Sequence, residues 1–128
     1  MRLYFLVIAC LLGLSAVALG AFGAHALESS VSLSRQATWI TAVDYQMFHV
    51  LAMLGLMAIF RDSPSPWIFR AQTAFVIGIC LFSGSLYALV LIDLPVLGAV
   101  TPFGGFCLML GWIFAAVAAF TSDNIADV

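Results

Sequence analysis

The sequence predicts an all-α membrane protein, a four-helix transmembrane bundle with short loops. The first observation behind this prediction is composition: of 128 residues, 65% are hydrophobic and 8% are charged, and the mean hydropathy is +1.20. Soluble proteins carry about 25% charged residues, so this chain lacks the polar surface to enclose its apolar residues in water. The second observation is that four apolar stretches reach the roughly 20 residues that a helix needs to cross a bilayer core.

The four predicted spans form one domain, residues 1–128, and cover residues 3–24, 39–60, 71–92 and 102–121. Each span is expected to be helical, because backbone N–H and C=O groups cannot remain unpaired in hydrocarbon. The first span also resembles a secretory signal, since Arg2 precedes it and Ala24-His25-Ala26 imitates a cleavage site. Its 22 apolar residues exceed the roughly 7 to 15 of a signal's apolar region, so we expect it to be retained.

Short polar connections are expected between the spans. Residues 25–38 form an interfacial connection between the first and second helices. Pro64 and Pro66 prevent the second helix from continuing into the third, which predicts that these two helices are antiparallel neighbours. Pro102 suits the first turn of the fourth helix, where a missing N–H has no consequence.

The positions of the arginines predict the orientation, because positive residues beside a span tend to remain in the cytoplasm. Three arginines share one side of the predicted bundle, namely Arg2, Arg61 and Arg70. Only Arg35 lies on the opposite side, so both termini are predicted to be cytoplasmic. Trp39 and Trp67 lie at span ends, as aromatic anchors in the headgroup region do.

Small residues recur at four-residue spacing on three of the predicted helices. In lipid, helices associate mainly through close backbone approach over such residues. The stripes are Ala16, Gly20 and Ala24 on the first helix, Cys80, Gly84 and Ala88 on the third, and Gly111, Ala115 and Ala119 on the fourth. Any one stripe can also face lipid, but three of them predict at least one tight interface, with Gly84 expected to pack closely.

Several functional classes find no support in the sequence. The four basic residues include no lysine, so there is no basic patch for nucleic acid. The three cysteines lie inside apolar stretches without a C-x-x-C pair, which predicts buried packing thiols for Cys10, Cys80 and Cys107. No nucleophile motif, metalloprotease motif or phosphate-binding loop is present, so no catalytic residue and no cofactor are predicted.

Polar residues collect in the first half of the second span, which reads WITAVDYQMFH from Trp39 to His49. His49 lies about 16 Å along the helix from Phe60, near mid-membrane, where ionisable residues usually face the protein interior and are candidates for function. Tyr45 and Gln46 share its helix face. The candidate ligand-binding residues are His25, Glu28, Asp44, Tyr45, Gln46, His49, Ser83, Ser85 and Tyr87.

Two interpretations of this polar cluster remain open. The residues form a pocket for a small ligand, a quinone headgroup or a metal, although spacing alone does not establish a metal site. Alternatively, Gln46 and His49 hydrogen-bond Ser83, Ser85 or Tyr87 on the third helix and lock the bundle. In that second interpretation Asp44 stabilises a helix start at the interface.

Four ordered motifs resemble the domain-of-unknown-function 423 family: GAFGAHAL at 20–27, YQMFH at 45–49, FSGSLYAL at 82–89 and TPFGG at 101–105. That family comprises small bacterial inner-membrane proteins of the YgdD type and is similar to the eukaryotic transmembrane protein 256 group. The resemblance implies four spans and a bacterial inner-membrane location, and it implies no activity. The motif positions are Gly20, Gly23, His25, Tyr45, Gln46, His49, Ser83, Gly84, Ser85, Tyr87, Pro102, Gly104 and Gly105.

The expected function is that of a non-enzymatic accessory or scaffold protein, which packs with other membrane proteins through its small-residue faces. The alternative is a small-molecule binder or transporter that uses the polar cluster around His49, with homo-oligomers enclosing the pathway. A membrane enzyme acting on lipid or quinone would need polar groups that converge beside a cavity. The lipid bilayer is the expected partner in every case.

Overall fold

Four long helices form most of the protein in the computed structural model, which describes residues 2–27, 29–63 and 65–126. Each is long and apolar enough to cross a membrane, which confirms the predicted fold class. The helices are α1 (Arg2–Phe22), α2 (Leu33–Ile59), α3 (Pro66–Leu91) and α4 (Thr101–Ala126), with a π-helical segment (Gly23–Leu27) after α1 and a 3-10 helix (Pro95–Ala99) before α4.

The helices pack in chain order: α1 contacts α2, α2 contacts α3, and α3 contacts α4. Short connections make neighbours antiparallel, as predicted for α2 and α3. One core cluster holds Ala9, Val50, Met53, Phe75, Ile79 and Leu108, and a second holds Leu27, Trp39, Leu89 and Val90. Since α1 lies at the edge of this order, much of its surface is left uncovered.

Capping residues make α2 and α3 longer than predicted. α2 begins six residues earlier than expected, because the Ser32 side chain accepts a hydrogen bond from the Arg35 backbone N–H at 3.3 Å. α3 begins five residues early at Pro66, where the Ser65 side chain accepts a hydrogen bond from the backbone N–H of Trp67 at 3.2 Å. Polar residues that the sequence placed in connections therefore form the helix starts.

An ion pair joins the start of α2 to the connection after α3. The Arg35 guanidinium lies 2.6 Å from the Asp93 carboxylate, which is largely exposed. Asp93 has a φ of 48°, in the left-handed region that Asp tolerates better than most residues, and this conformation turns the chain out of α3. The pair marks the headgroup level at this end of the bundle, because exposed charges belong in the polar part of the membrane.

α3 and α4 approach each other closely at two glycines. A Cβ atom added at Gly104 would lie 2.7 Å from the Cα of Phe82 and 2.8 Å from the carbonyl carbon of Leu81. A Cβ added at Gly78 would lie 2.5 Å from the Leu108 side chain and 3.0 Å from its backbone nitrogen. Only glycine permits the two backbones to approach this far, which is how helices associate without a hydrophobic driving force.

The predicted stripe on α4 is buried at two of its three residues. Gly111 packs under the ring of Phe75, where an added Cβ would lie 2.5 Å from two ring carbons. Ala115 is also buried, whereas Ala119 is exposed. On α1, Ala16 is fully buried and Gly20 packs beside Val43, whereas Ala24 is exposed and its expected packing role is wrong.

The prediction for the α3 stripe is wrong. Apart from its own stretch of helix, none of the described residues comes within 4 Å of a Cβ built at Gly84, and Cys80 is exposed. The face of α3 toward α4 carries Gly78, Phe82 and Ser85 instead. Cys80 lies two positions after Gly78, a rotation of about 200° around the helix, so its stripe points away from α4. Cys10 is likewise exposed, and the expectation of buried thiols fails for both of these cysteines.

Trp39 is not the interfacial anchor that its predicted position implied, because it is 2% exposed. Its indole N–H donates to the Leu19 carbonyl of α1 at 2.8 Å. The ring packs against Gly23, where an added Cβ would lie 2.5 Å from the indole nitrogen and where the π-helical segment begins. The early start of α2 explains the difference, since Trp39 follows six helical residues and lies inside the bundle.

Candidate functional site

Gln46 ties three helices together through its side-chain amide. The amide nitrogen donates to the Leu12 carbonyl and to the Ser15 hydroxyl of α1, each at 2.8 Å. The amide oxygen accepts a hydrogen bond from the Tyr87 hydroxyl of α3 at 2.9 Å. The structure thus contains the expected bond between Gln46 and the third helix. Gln46 is 3% exposed, and both ends of its amide form hydrogen bonds inside the bundle.

His49 makes a different set of contacts from those expected. Its Nε2 accepts a hydrogen bond from the indole N–H of Trp112 on α4 at 3.2 Å, and its Nδ1 lies 2.7 Å from the Tyr45 carbonyl oxygen. An indole nitrogen can only donate, so Nε2 carries the lone pair and Nδ1 carries the hydrogen that the carbonyl accepts. The imidazole is therefore neutral in this arrangement, with both nitrogens engaged. The expected bond from His49 to α3 is wrong.

An open groove of about 890 Å³ separates α2 from α4 and will be called the α2–α4 groove. Tyr45 lies on one wall and stacks on Phe82, with ring centroids 4.3 Å apart. His49 and Trp112 also line the groove, together with apolar side chains such as Phe48. The Tyr45 hydroxyl forms no hydrogen bond with any described residue. Tyr45 and His49 thus face one groove as their spacing predicted, whereas Gln46 does not line this groove and bonds α1 and α3.

The two serines of α3 lie outside the α2–α4 groove. Ser85 donates to the Phe82 carbonyl at 3.0 Å and lies 2.9 Å from the Thr101 hydroxyl, so it links α3 to α4. Ser83 is 1% exposed, and its hydroxyl has no hydrogen-bond partner among the described residues. Neither serine forms one of the hydrogen bonds of His49 or lines the groove beside it, so the structure does not place them in a cluster with that residue.

Asp44 is exposed on α2 and lines a second, smaller groove. This α1–α2 groove has a volume of about 310 Å³ and is also lined by Gly20, Ala24 and Trp39. Asp44 does not stabilise a helix start, since Ser32 caps α2 more than two turns earlier. Asp44 accepts no hydrogen bond and forms no ion pair with any described residue.

Two predicted site residues remain, His25 and Glu28. His25 is exposed in the π-helical segment and lines neither groove, and Glu28 lies outside the described residues. Within the described ranges, no three His, Cys, Asp or Glu residues are grouped to hold a metal ion. The predicted cluster thus divides into an internal network at Gln46, a groove at His49 and a separate groove at Asp44.

Sequence reasoning missed Trp112, Ser15 and Gln72. Trp112 lies in the middle of an apolar span, where an indole N–H requires an acceptor, and that requirement is a signal for a partner such as His49. Gln72 is 1% exposed, and its amide nitrogen donates to the Met53 carbonyl of α2 at 2.9 Å. A polar amide near a predicted helix start gives no comparable signal, because headgroup water would satisfy it.

Four spanning helices joined by short connections define a small multi-pass membrane protein. The family described as "Protein of unknown function (DUF423)" matches residues 19–105, and the chain belongs to this family. The resemblance found in the sequence motifs is thereby confirmed.

Bacterial relatives match nearly the whole chain. The UPF0382 membrane protein SAB0533 of Staphylococcus aureus is 40% identical over 116 residues, covering 91% of this chain and 94% of that protein. The UPF0382 inner membrane protein YgdD of Escherichia coli K12 is 39% identical, covering 91% and 88%. The UPF0382 membrane protein YwdK of Bacillus subtilis is 39% identical over 117 residues, covering 90% and 94%. No solved structure matches the chain.

Proposed function

We propose that this protein is a non-enzymatic accessory or scaffold protein of the bacterial inner membrane, which packs laterally against other membrane proteins. The observation that carries the proposal is the uncovered surface of α1. In its most apolar stretch, 11% of the residues are buried, compared with 44% in α3. Exposed side chains such as Leu14 and Val17 form a broad apolar face on α1, which a partner helix would cover.

The arrangement of polar groups also supports a structural role. Gln46 and His49 are the two polar residues buried deepest in α2, and both form their hydrogen bonds with other residues of the bundle. Catalysis requires polar groups that converge on a space where a substrate atom can sit, whereas Gln46 bonds groups on α1 and α3 and His49 bonds Trp112 on α4. Because the connections between helices are short, a partner would be contacted within the bilayer plane.

Site-specific photocrosslinking in native membranes tests this proposal. A benzophenone amino acid at Leu14 on α1 should give a discrete protein adduct, identified by mass spectrometry and reproduced at Val17 on the same helix. Ile113, which is 55% exposed on α4, is the matched lipid-facing control and should give lipid adducts only. Lipid adducts alone at both α1 positions would contradict the proposal.

We also propose that both termini are cytoplasmic, since Arg61 and Arg70 lie at the same end of the bundle as the start of α1. Cysteine labelling in intact cells tests this orientation in a variant that lacks the native cysteines. A membrane-impermeant maleimide should label Ser30→Cys and should spare Ser63→Cys until the membrane is opened. The reverse pattern would invert the orientation.

A small-molecule binder is the second candidate function, and the α2–α4 groove favours it. Its volume of about 890 Å³ lies within the roughly 300–1,000 Å³ of ligand sites, and Tyr45 offers a hydroxyl without a described partner. A short-chain quinone added to nanodiscs should then quench the fluorescence of Trp112, measured as the difference between wild type and Trp112→Phe. Equal quenching of the two proteins would exclude binding beside Trp112.

A further inference from the structure

We infer that the α1–α2 groove receives a transmembrane helix of a different protein, and that a lysine or arginine of this helix pairs with Asp44. The inference rests on the proposed accessory function and names the chemistry of the partner. It goes beyond that function because it assigns the contact to one groove and to one charge.

Asp44 lies at hydrocarbon depth. Asp44 follows Arg35 by nine residues, which is about 13 Å along the helix at a rise of about 1.5 Å per residue. Toward the other end of α2, Arg61 lies about 25 Å from Asp44. Arg35 pairs with Asp93 and marks the headgroup level. A carboxylate so far below that level is costly in lipid unless it is paired, and such residues mark functional contacts by default.

The bundle itself supplies no partner for this carboxylate. The Tyr87 side chain is close enough for electrostatic interaction with Asp44, but its hydroxyl donates its only hydrogen to the Gln46 amide oxygen. None of the described residues donates a hydrogen bond to Asp44 or pairs with it. None of the described residues therefore supplies the positive group that would pair with Asp44.

The shape of the α1–α2 groove suits a helix with a basic side chain. Gly20 and Ala24 present little side chain along one wall, so a neighbouring backbone can approach closely. Trp39 also lines the groove, and because its ring is buried it closes the floor beneath the approaching helix. The groove also adjoins α1, the least covered of the four helices. The charge of Asp44, the small residues of the wall and the access from lipid thus point to the same kind of occupant.

A second copy of this chain cannot provide the cation. The sequence contains no lysine, and its four arginines lie at helix ends: Arg2, Arg35, Arg61 and Arg70. Both ring nitrogens of His49 are engaged inside the bundle. Gly20 packs beside Val43, so Asp44 is level with position 19, and His25 lies about 9 Å nearer the headgroups. The partner is therefore a different chain.

Synthetic transmembrane peptides provide a defined probe. A leucine-alanine helix with a single lysine at the depth of Asp44, and a control peptide with leucine at that position, are added to phosphatidylcholine nanodiscs that hold the labelled protein. Energy transfer should show at least tenfold tighter association of the lysine peptide. Asp44→Asn, which keeps the side-chain shape, should reduce that association to the level of the leucine peptide, whereas Asp62→Asn outside the spans should not.

Three results would overturn the inference: equal affinity for the two peptides, unchanged affinity of Asp44→Asn, or binding of free ethylammonium without binding of the lysine peptide. Thermal unfolding of Asp44→Asn confirms that the variant is folded before association is measured. Photocrosslinking from Leu14 separates this inference from the accessory function. A protein adduct at Leu14 together with equal affinity for the two peptides would retain the accessory function and reject the ion pair.

Discussion

Replacing Gly104 with alanine should destabilise the protein, because the new methyl group has no space at the α3–α4 interface. The added Cβ would lie 2.7 Å from the Phe82 Cα and 2.8 Å from the Leu81 carbonyl carbon. Nonbonded carbons prefer about 3.5–4.0 Å, so the two helices would have to separate by about 1 Å. Both neighbouring atoms belong to the backbone, so no change of side-chain rotamer relieves the contact.

We expect a loss of about 1–3 kcal/mol, the usual range for adding one methyl group to a filled interior. Separation of the helices would also loosen the contact of Gly78 with Leu108, which places the effect in the upper part of that range. The measurement is the free energy of unfolding in mixed detergent micelles, obtained by titration with SDS and followed by circular dichroism.

Gly105→Ala is the matched control, because it adds the same methyl group one position later in the same helix. Its Cβ would lie 3.7 Å and 3.8 Å from two carbons of the Phe82 ring, which is ordinary contact distance. Helix propensity alone favours both substitutions by the same amount. Equal stability of Gly104→Ala and Gly105→Ala would refute the close approach of α3 and α4.

Three further predictions concern the polar network and the α3 surface. Gln46→Leu should lower the free energy of unfolding by about 1–2 kcal/mol, because it removes hydrogen bonds to two neighbouring helices. Thr73→Val is the control and should change the free energy of unfolding little, because the Thr73 hydroxyl bonds only its own helix. Nitrogen NMR of labelled His49 should show a neutral ring protonated at Nδ1, and Trp112→Phe should shift the Nε2 resonance; a ring protonated at Nε2 would contradict the assigned bond. Gly84→Leu should leave thermal unfolding unchanged, since no neighbouring helix in the described ranges comes within 4 Å of its Cβ position, and a lower melting temperature would support the packing that the sequence predicted.

The fold class was predictable because membrane insertion depends on apolar length, which is a local property of the sequence. The faces through which the helices pack against each other were not predictable. Spacing identifies residues that share a face of one helix, but it does not reveal which face meets a neighbour. Gly78 stands alone among larger residues, yet it lies at the α3–α4 contact, whereas the more regular stripe at Gly84 faces open space.

The same distinction applies to the candidate site. The bond between Gln46 and Tyr87 was among those expected, because both residues are polar and lie in spans that are neighbours in sequence. The bond between His49 and Trp112 depends on how α4 is rotated, which hydropathy does not encode. Trp39 was misplaced because a capping serine, Ser32, moved the helix start outward by six residues.

At the contact between α1 and α2, α1 supplies the hydrogen-bond acceptors and α2 supplies the donors. This division has a consequence for membrane insertion. α1 contributes the carbonyls of Leu12 and Leu19 and the hydroxyl of Ser15, which already bonds its own helix. α2 contributes the Trp39 indole and the Gln46 amide, whose N–H groups find no acceptor in lipid. α1, which leaves the ribosome first, therefore needs no partner helix to satisfy these groups in the bilayer. α1 can therefore insert first and present its acceptors. The N–H groups of α2 gain hydrogen-bond partners only when α2 packs against α1.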